Sequence, residues 1–90
     1  MYDIKLTTRF RKDYKAAMKR GLDISALDDV IRLLAKGQPL PARYKDHPLS
    51  GSFSGYRECH LAFDWLLIYQ IEEQVLVLTL IRTGTHEELF

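Results

Sequence analysis

The sequence predicts a small α+β domain of order β-α-α-β-β-β, a mostly antiparallel four-stranded sheet with a two-helix hairpin packed on one face. Three observations carry this. Residues 2–6 alternate apolar and polar, two stretches between residues 8 and 36 repeat apolar side chains at helical spacing, and the chain beyond Gly55 turns strand-like. Ninety residues and 10.5 kDa are the size of one such domain, residues 1–90.

Tyr2, Ile4 and Leu6 alternate with Asp3 and Lys5, the pattern of a half-buried first strand. Thr8 is expected to cap a helix whose apolar stripe is Phe10, Tyr14, Ala17 and Met18, at i, i+4, i+7 and i+8. Arg9, Arg11, Lys12, Lys15, Lys19 and Arg20 make the rest of that helix basic, and Gly21 suits its left-handed C-cap. A second helix starts at Asp23 or Ser25. With Asp23 as cap, Leu22 and Leu27 form a hydrophobic staple, and Leu27, Val30, Ile31 and Leu34 make a core face before Gly37 and Pro39 stop it. Residues 38–55 hold three prolines, two glycines and three serines and read as one irregular loop, long enough in a chain this size to suggest function. Strands follow at Tyr56–Ala62, Trp65–Ile71 and Gln74–Ile81, with Glu72 and Glu73 as a reversal. Leu66-Leu67-Ile68 and Val75-Leu76-Val77-Leu78 lack alternation, as in strands covered on both faces. Arg82-Thr83-Gly84-Thr85 is expected to end the last strand, and His86–Phe90 to form a single helical turn.

Hydrophobic residues at 47% and charged ones at 28% exclude a disordered or fibrous chain. No apolar run approaches the ~20 residues of a membrane span, and the alternating N-terminus is unlike a signal peptide. The single cysteine, Cys59, cannot form an intramolecular disulfide, so the expected compartment is a reducing cytoplasm, with Cys59 a buried hydrophobe. The net charge of +1 conceals a polarity: residues 1–45 carry eleven Lys/Arg against five Asp/Glu, and residues 46–90 two against seven. A basic face of this kind meets a polyanion or an acidic protein, although a solvated helix has the same pattern.

Four residues carry the chemistry: His47, His60, Asp64 and His86. Histidine titrates near cellular pH, and a pair of such groups supplies one proton donor and one acceptor. Each alone reads as an ordinary surface or hydrogen-bonded residue. Together they lie in the long loop, on a strand, at a turn and after the last strand, places that an antiparallel meander brings to one face. No HExxH, paired CxxC or i,i+4 histidine pair is present, so the expected site works without metal or other cofactor. Arg57 and Arg82 are the only basic residues of the acidic half, and a guanidinium can hold a phosphate in a bidentate manner. The plain alternative for Arg57 is an ion pair with Glu58 or another acidic neighbour. Trp65 and Phe90 offer faces for an unstacked base, with core packing the alternative for Trp65.

Tyr44-Lys45-Asp46-His47-Pro48-Leu49, then Gly51, Gly55-Tyr56-Arg57-Glu58, His60, Asp64-Trp65-Leu66-Leu67-Ile68-Tyr69 and Arg82-Thr83-Gly84-Thr85-His86 with Leu89-Phe90 resemble, in order, the YafQ branch of the RelE toxin family. The resemblance implies a type II toxin that cleaves messenger RNA on the translating ribosome, silenced by a cognate antitoxin. It places the site at His47, His60, Asp64, His86 and Phe90. RNA supplies its own nucleophile, the 2′-OH. An enzyme must therefore remove that proton, protonate the departing 5′-oxygen and stabilise the charge between them. The expected roles are His60 or Asp64 on the nucleophile side, His86 or His47 as proton donor, and Arg82 on the phosphate. Phe90, Trp65, Lys45 and Arg57 are expected at the RNA, with Lys12, Lys15 and Lys19 on ribosomal RNA or an acidic antitoxin segment. Two other readings remain, a ParE-like toxin that inhibits gyrase and a non-catalytic nucleic-acid-binding module.

Overall fold

Each long helix of the computed structural model, which describes residues 1–90, stops where the chain supplies partners for loose backbone groups, and the first also starts at such a place. Helix α1 spans Thr8–Lys19, and its cap is Thr7 rather than the expected Thr8. The Thr7 hydroxyl accepts from the Phe10 N–H at 2.9 Å and donates to the Ile81 carbonyl at 2.7 Å, so one side chain starts the helix and ties it to the last strand. Helix α2 spans Ile24–Ala35 behind Asp23, whose carboxylate takes a bond from the Ser25 hydroxyl and leaves the helix N–H groups alone. Both helices end in a left-handed glycine. After α1 the N–H of Gly21 reaches Met18 and that of Leu22 reaches Ala17, and Gly37 and Gln38 repeat the arrangement after α2.

The sheet has five strands in the order β1-β5-β4-β3-β2, where β1 is Asp3–Leu6, β2 His47–Pro48, β3 Arg57–Ala62, β4 Trp65–Glu72 and β5 Val77–Gly84. Four mostly antiparallel strands were expected; the sheet is mixed, because β1 runs parallel to β5 while the other pairs are antiparallel. The fifth strand, β2, lies inside the segment expected to be irregular, between short 3₁₀ turns at Ala42–Tyr44 and Gly51–Phe53. Two residues are too few to leave a period in the sequence. Gln74, Val75 and Leu76 belong to the turn after β4 and not to a strand, and β5 runs on through Arg82-Thr83-Gly84 to a last helix, α3, at His86–Leu89.

The two faces of the sheet are covered differently. Phe10, Ala17, Leu27, Val30 and Leu34 from the hairpin pack on Cys59, Trp65, Leu67, Tyr69, Leu78 and Leu80. Leu66, Ile68 and Leu89 form a smaller cluster, with Leu49, Tyr56 and Ile81 against it. Strand β4 thus feeds both faces, as its unbroken apolar run predicts. Three expectations about burial fail, the first at Val75 and Leu76, which are exposed in the turn rather than covered on both faces. Met18 is exposed, because it lies about 80° around the helix from Phe10 whereas Ala17 lies about 20° away. All four β1 residues are exposed, because an edge strand has one neighbour. No helix is long and apolar enough to cross a membrane.

Leu76 sits at φ +54° in the turn before β5, where a branched side chain crowds its own carbonyl. Leu76→Asn is expected to raise stability by up to about 1 kcal/mol, read as a higher urea midpoint at unchanged slope.

Candidate active site

Strand alternation decides which side chains of β3 meet. Successive residues point to opposite faces, so Cys59, packed under the helices, separates Glu58 and His60, which share the face carrying Leu66 and Ile68. β2 pairs with β3 so that His47 lies opposite Glu58. Two imidazoles therefore flank one carboxylate: Glu58 Oε1 is 3.2 Å from His60 Nε2 and 3.6 Å from His47 Nε2.

His86 arrives from the opposite end of the sheet. It is the first residue of α3, held by a capping box in which Thr85 and Glu88 bond each other's backbone. The His86 Nε2 lies 3.9 Å from the same Glu58 oxygen. On the other side of the ring, Asp64 Oδ1 accepts from the His86 backbone N–H at 3.0 Å and lies 3.1 Å from Nδ1. Asp64 reaches there from the two-residue turn between β3 and β4 at φ +52°, a conformation aspartate tolerates. The His86 backbone N–H, then its ring, hold the Asp64 carboxyl below its ordinary range. An ionised carboxylate only accepts, so Nδ1 carries the proton and Nε2 is the nitrogen turned to Glu58. The three rings form a row, with centroids 6.2 Å apart for His47 and His60 and 5.9 Å for His60 and His86. Phe90 continues it, 6.3 Å from His86 and edge-on to Phe53 at 4.9 Å.

A second network, toward the helices, sets the loop. Asp46 accepts from the Tyr69 hydroxyl and from Arg57, whose Nη2 is 3.1 Å away. This clasp fixes the residue before His47, whose Nδ1 lies 3.0 Å from the Pro48 carbonyl. Arg57 therefore pairs with Asp46 and not with Glu58, and it stands across the sheet from the histidines rather than facing RNA with them. Burial of the Tyr69 phenol and its bond to Asp46 push its pKa well up, so it stays a donor.

The other expected residues divide. Trp65 is core, 5% exposed, its indole N–H without a partner, and cannot stack on a base. The Arg82 guanidinium holds both Asp13 oxygens at 3.0 Å and the Glu88 carbonyl at 3.4 Å, and it touches none of the histidines. Lys12, Lys15 and Lys19 are exposed on α1, across the sheet from the histidine row. Lys45 is exposed beside His60, at φ +49°. Burial pushes the Cys59 thiol up to about 12, so it stays protonated.

Glu58 went unremarked as a site residue, although its place two before His60 on a strand puts the two on one face. Asp46 left no signal of its own, since its partners are 11 and 23 residues away. His47, Glu58 and His60 also present donor atoms within 4.8 Å of one another. Two imidazoles and a carboxylate suit zinc or copper, an arrangement built across two strands that sequence spacing does not reveal.

The family described as bacterial toxin of type II toxin–antitoxin system, YafQ, matches residues 2–90. The mRNA interferase toxin YafQ of Escherichia coli (strain K12) is 46% identical over 89 residues, covering 98% of this chain and 95% of the relative. The E. coli DinJ–YafQ complex contains a chain with TM-score 0.92 and 45% identity, covering 100% of this chain and 99% of that one. A metal-bound toxin from Helicobacter pylori superposes with TM-score 0.94 at 48% identity, with full coverage of both chains.

Proposed function

The chain belongs to the YafQ family of type II toxin–antitoxin toxins and is an mRNA interferase, an endoribonuclease with an antitoxin as partner, and from that premise we propose how its side chains cut RNA. The observation that carries the proposal is one buried carboxylate, Glu58, with three imidazoles within 3.9 Å on the sheet face away from the helix hairpin. His60, backed by Glu58, takes the proton of the RNA 2′-OH. The oxygen attacks the adjacent phosphorus, and the bond to the 5′-oxygen breaks. His86, its ring held by Asp64, delivers a proton from Nε2 to that leaving oxygen. His47 in its protonated form stabilises the charge on the phosphoryl oxygens between them. Products are a 2′,3′-cyclic phosphate and a 5′-hydroxyl, and a strand lacking the 2′-OH resists. Phe90 stacks on a base beside the cut. The proposed setting is a messenger on the cytoplasmic ribosome, with Lys12, Lys15 and Lys19 on ribosomal RNA.

Asp64 is occupied by His86, which leaves His60 on the nucleophile side. Arg82 is occupied by Asp13, so we assign it to holding the end of β5, from which His86 projects, against α1. If that is so, Asp13→Asn lowers cleavage as Arg82→Ala does, by a similar factor and with a lower melting temperature. An Arg82 that instead serves the phosphate is released by Asp13→Asn, and cleavage is kept.

Primer extension on messenger from a translation extract tests the whole proposal. New 5′ ends are expected with the wild-type protein and not with His86→Ala; no new ends with either would overturn it.

A further inference from the structure

Beside the histidine row opens a cleft of about 590 Å³ lined by Arg43, Lys45, His60, Phe63, Asp64 and His86 among others, and Phe90 is not part of its wall. The volume suits a bound nucleotide, which falls within the ordinary range of ligand sites. Phe63 stands in the two-residue turn between β3 and β4 with its ring fully exposed, the most exposed large apolar side chain of the molecule. The chain's ion pairs engage Arg20, Arg32, Arg57 and Arg82, and leave Arg43 and Lys45 without a carboxylate. Both cations are nevertheless placed. The Arg43 guanidinium lies over the ring of buried Tyr44 at 4.7 Å and bonds its hydroxyl at 3.1 Å. Lys45 is exposed at the cleft, in a left-handed backbone conformation.

We propose that this cleft is a second nucleotide subsite, in which Phe63 stacks on one base of the RNA while Arg43 and Lys45 neutralise its phosphate. The proposal rests on the nuclease reading and adds a position to it. Phe90 and Phe63 then grip nucleotides at two separate places along the row of reacting groups, and the strand is held at two points about the scissile bond. An aromatic platform next to unpaired cations is the usual composition of a single-strand site: the ring gains from stacking on any base and the cations from the backbone. An acidic protein segment could satisfy the cations. It would have no use for His60 and His86 in the same wall, whereas an RNA strand must pass them.

The test uses the whole chain and two readouts, fluorescence anisotropy on a ten-nucleotide 2′-O-methyl RNA that cannot be cut, and primer extension in a translation extract. Phe63→Ala is expected to weaken RNA binding about tenfold and to change the bases found at the cut sites, and Phe63→Trp to restore both. Arg43→Ala is expected to weaken binding and to flatten its salt dependence. Unchanged affinity and cut pattern in Phe63→Ala would overturn the subsite. A wild-type protein that cuts nothing defeats the nuclease reading instead, and the anisotropy arm still decides the subsite.

Discussion

His86→Ala is expected to lower messenger cleavage by about 10²- to 10⁴-fold, the range for loss of a positioned proton donor, while the melting temperature stays close to wild type. The side chain is 58% exposed, and its neighbours are Asp64, Glu58 and the rings of His60 and Phe90. Removing it leaves no cavity, and the backbone N–H that Asp64 accepts from is retained. His60→Ala is expected to cost a similar factor, and the double variant little more than either alone, because the two groups serve one transfer from opposite ends. Asp64→Asn loses part of the same factor, since the amide oxygen still accepts from Nδ1 but no longer balances a protonated ring. Because Asp64 is held below the ordinary carboxylate range, it stays ionised as pH falls through 6 and 5, and a loss of activity in that window does not belong to it. Single-turnover primer extension across pH is the measurement. Wild-type rates in both histidine variants would sink the assignment.

How much of this was legible beforehand depends on how far apart the interacting residues stand. The helix caps, the glycine stops and the apolar run of β4 are local features, and they were readable within a residue or two. His47, His60, Asp64 and His86 could also be picked out as chemically distinctive residues, and the structure brings them together, their catalytic role remaining the proposal above. Their convergence on one face followed from the expected meander, but the detail of their arrangement did not. It depends on a two-residue strand that no periodicity announces, and on a register that sets His47 opposite Glu58. The errors have the same origin. Arg57 was expected at the RNA, with an ion pair to Glu58 or another acidic neighbour as the alternative; adjacency on a strand puts Arg57 and Glu58 on opposite faces, and the acidic neighbour is Asp46. Arg82 was expected on the phosphate, and nothing near it in the sequence points to its partner Asp13, 69 residues away. Trp65 follows Asp64 directly, but Asp64 lies in the turn and meets His86, whereas Trp65 opens β4 and packs into the core.

Glu58 is where stability and function are expected to part. Its side chain is 5% exposed and the partners within reach are three imidazoles, none of which is a permanent cation. A buried carboxylate so placed costs desolvation that a lysine or arginine partner would offset and a neutral histidine offsets poorly. Glu58→Gln keeps the volume and leaves a polar group facing the rings. It is therefore expected to hold or raise the melting temperature by a few degrees, while cleavage falls by about 10²-fold, because an amide accepts no proton from His60 and balances no charge on it. A group retained only for packing behaves in the opposite way: Glu58→Gln would then lower the melting temperature, and activity would follow it in proportion. Measuring both quantities on one preparation separates the cases. A stable, inactive Glu58→Gln protein would mean that the chain keeps an unfavourable buried charge because the reaction requires it.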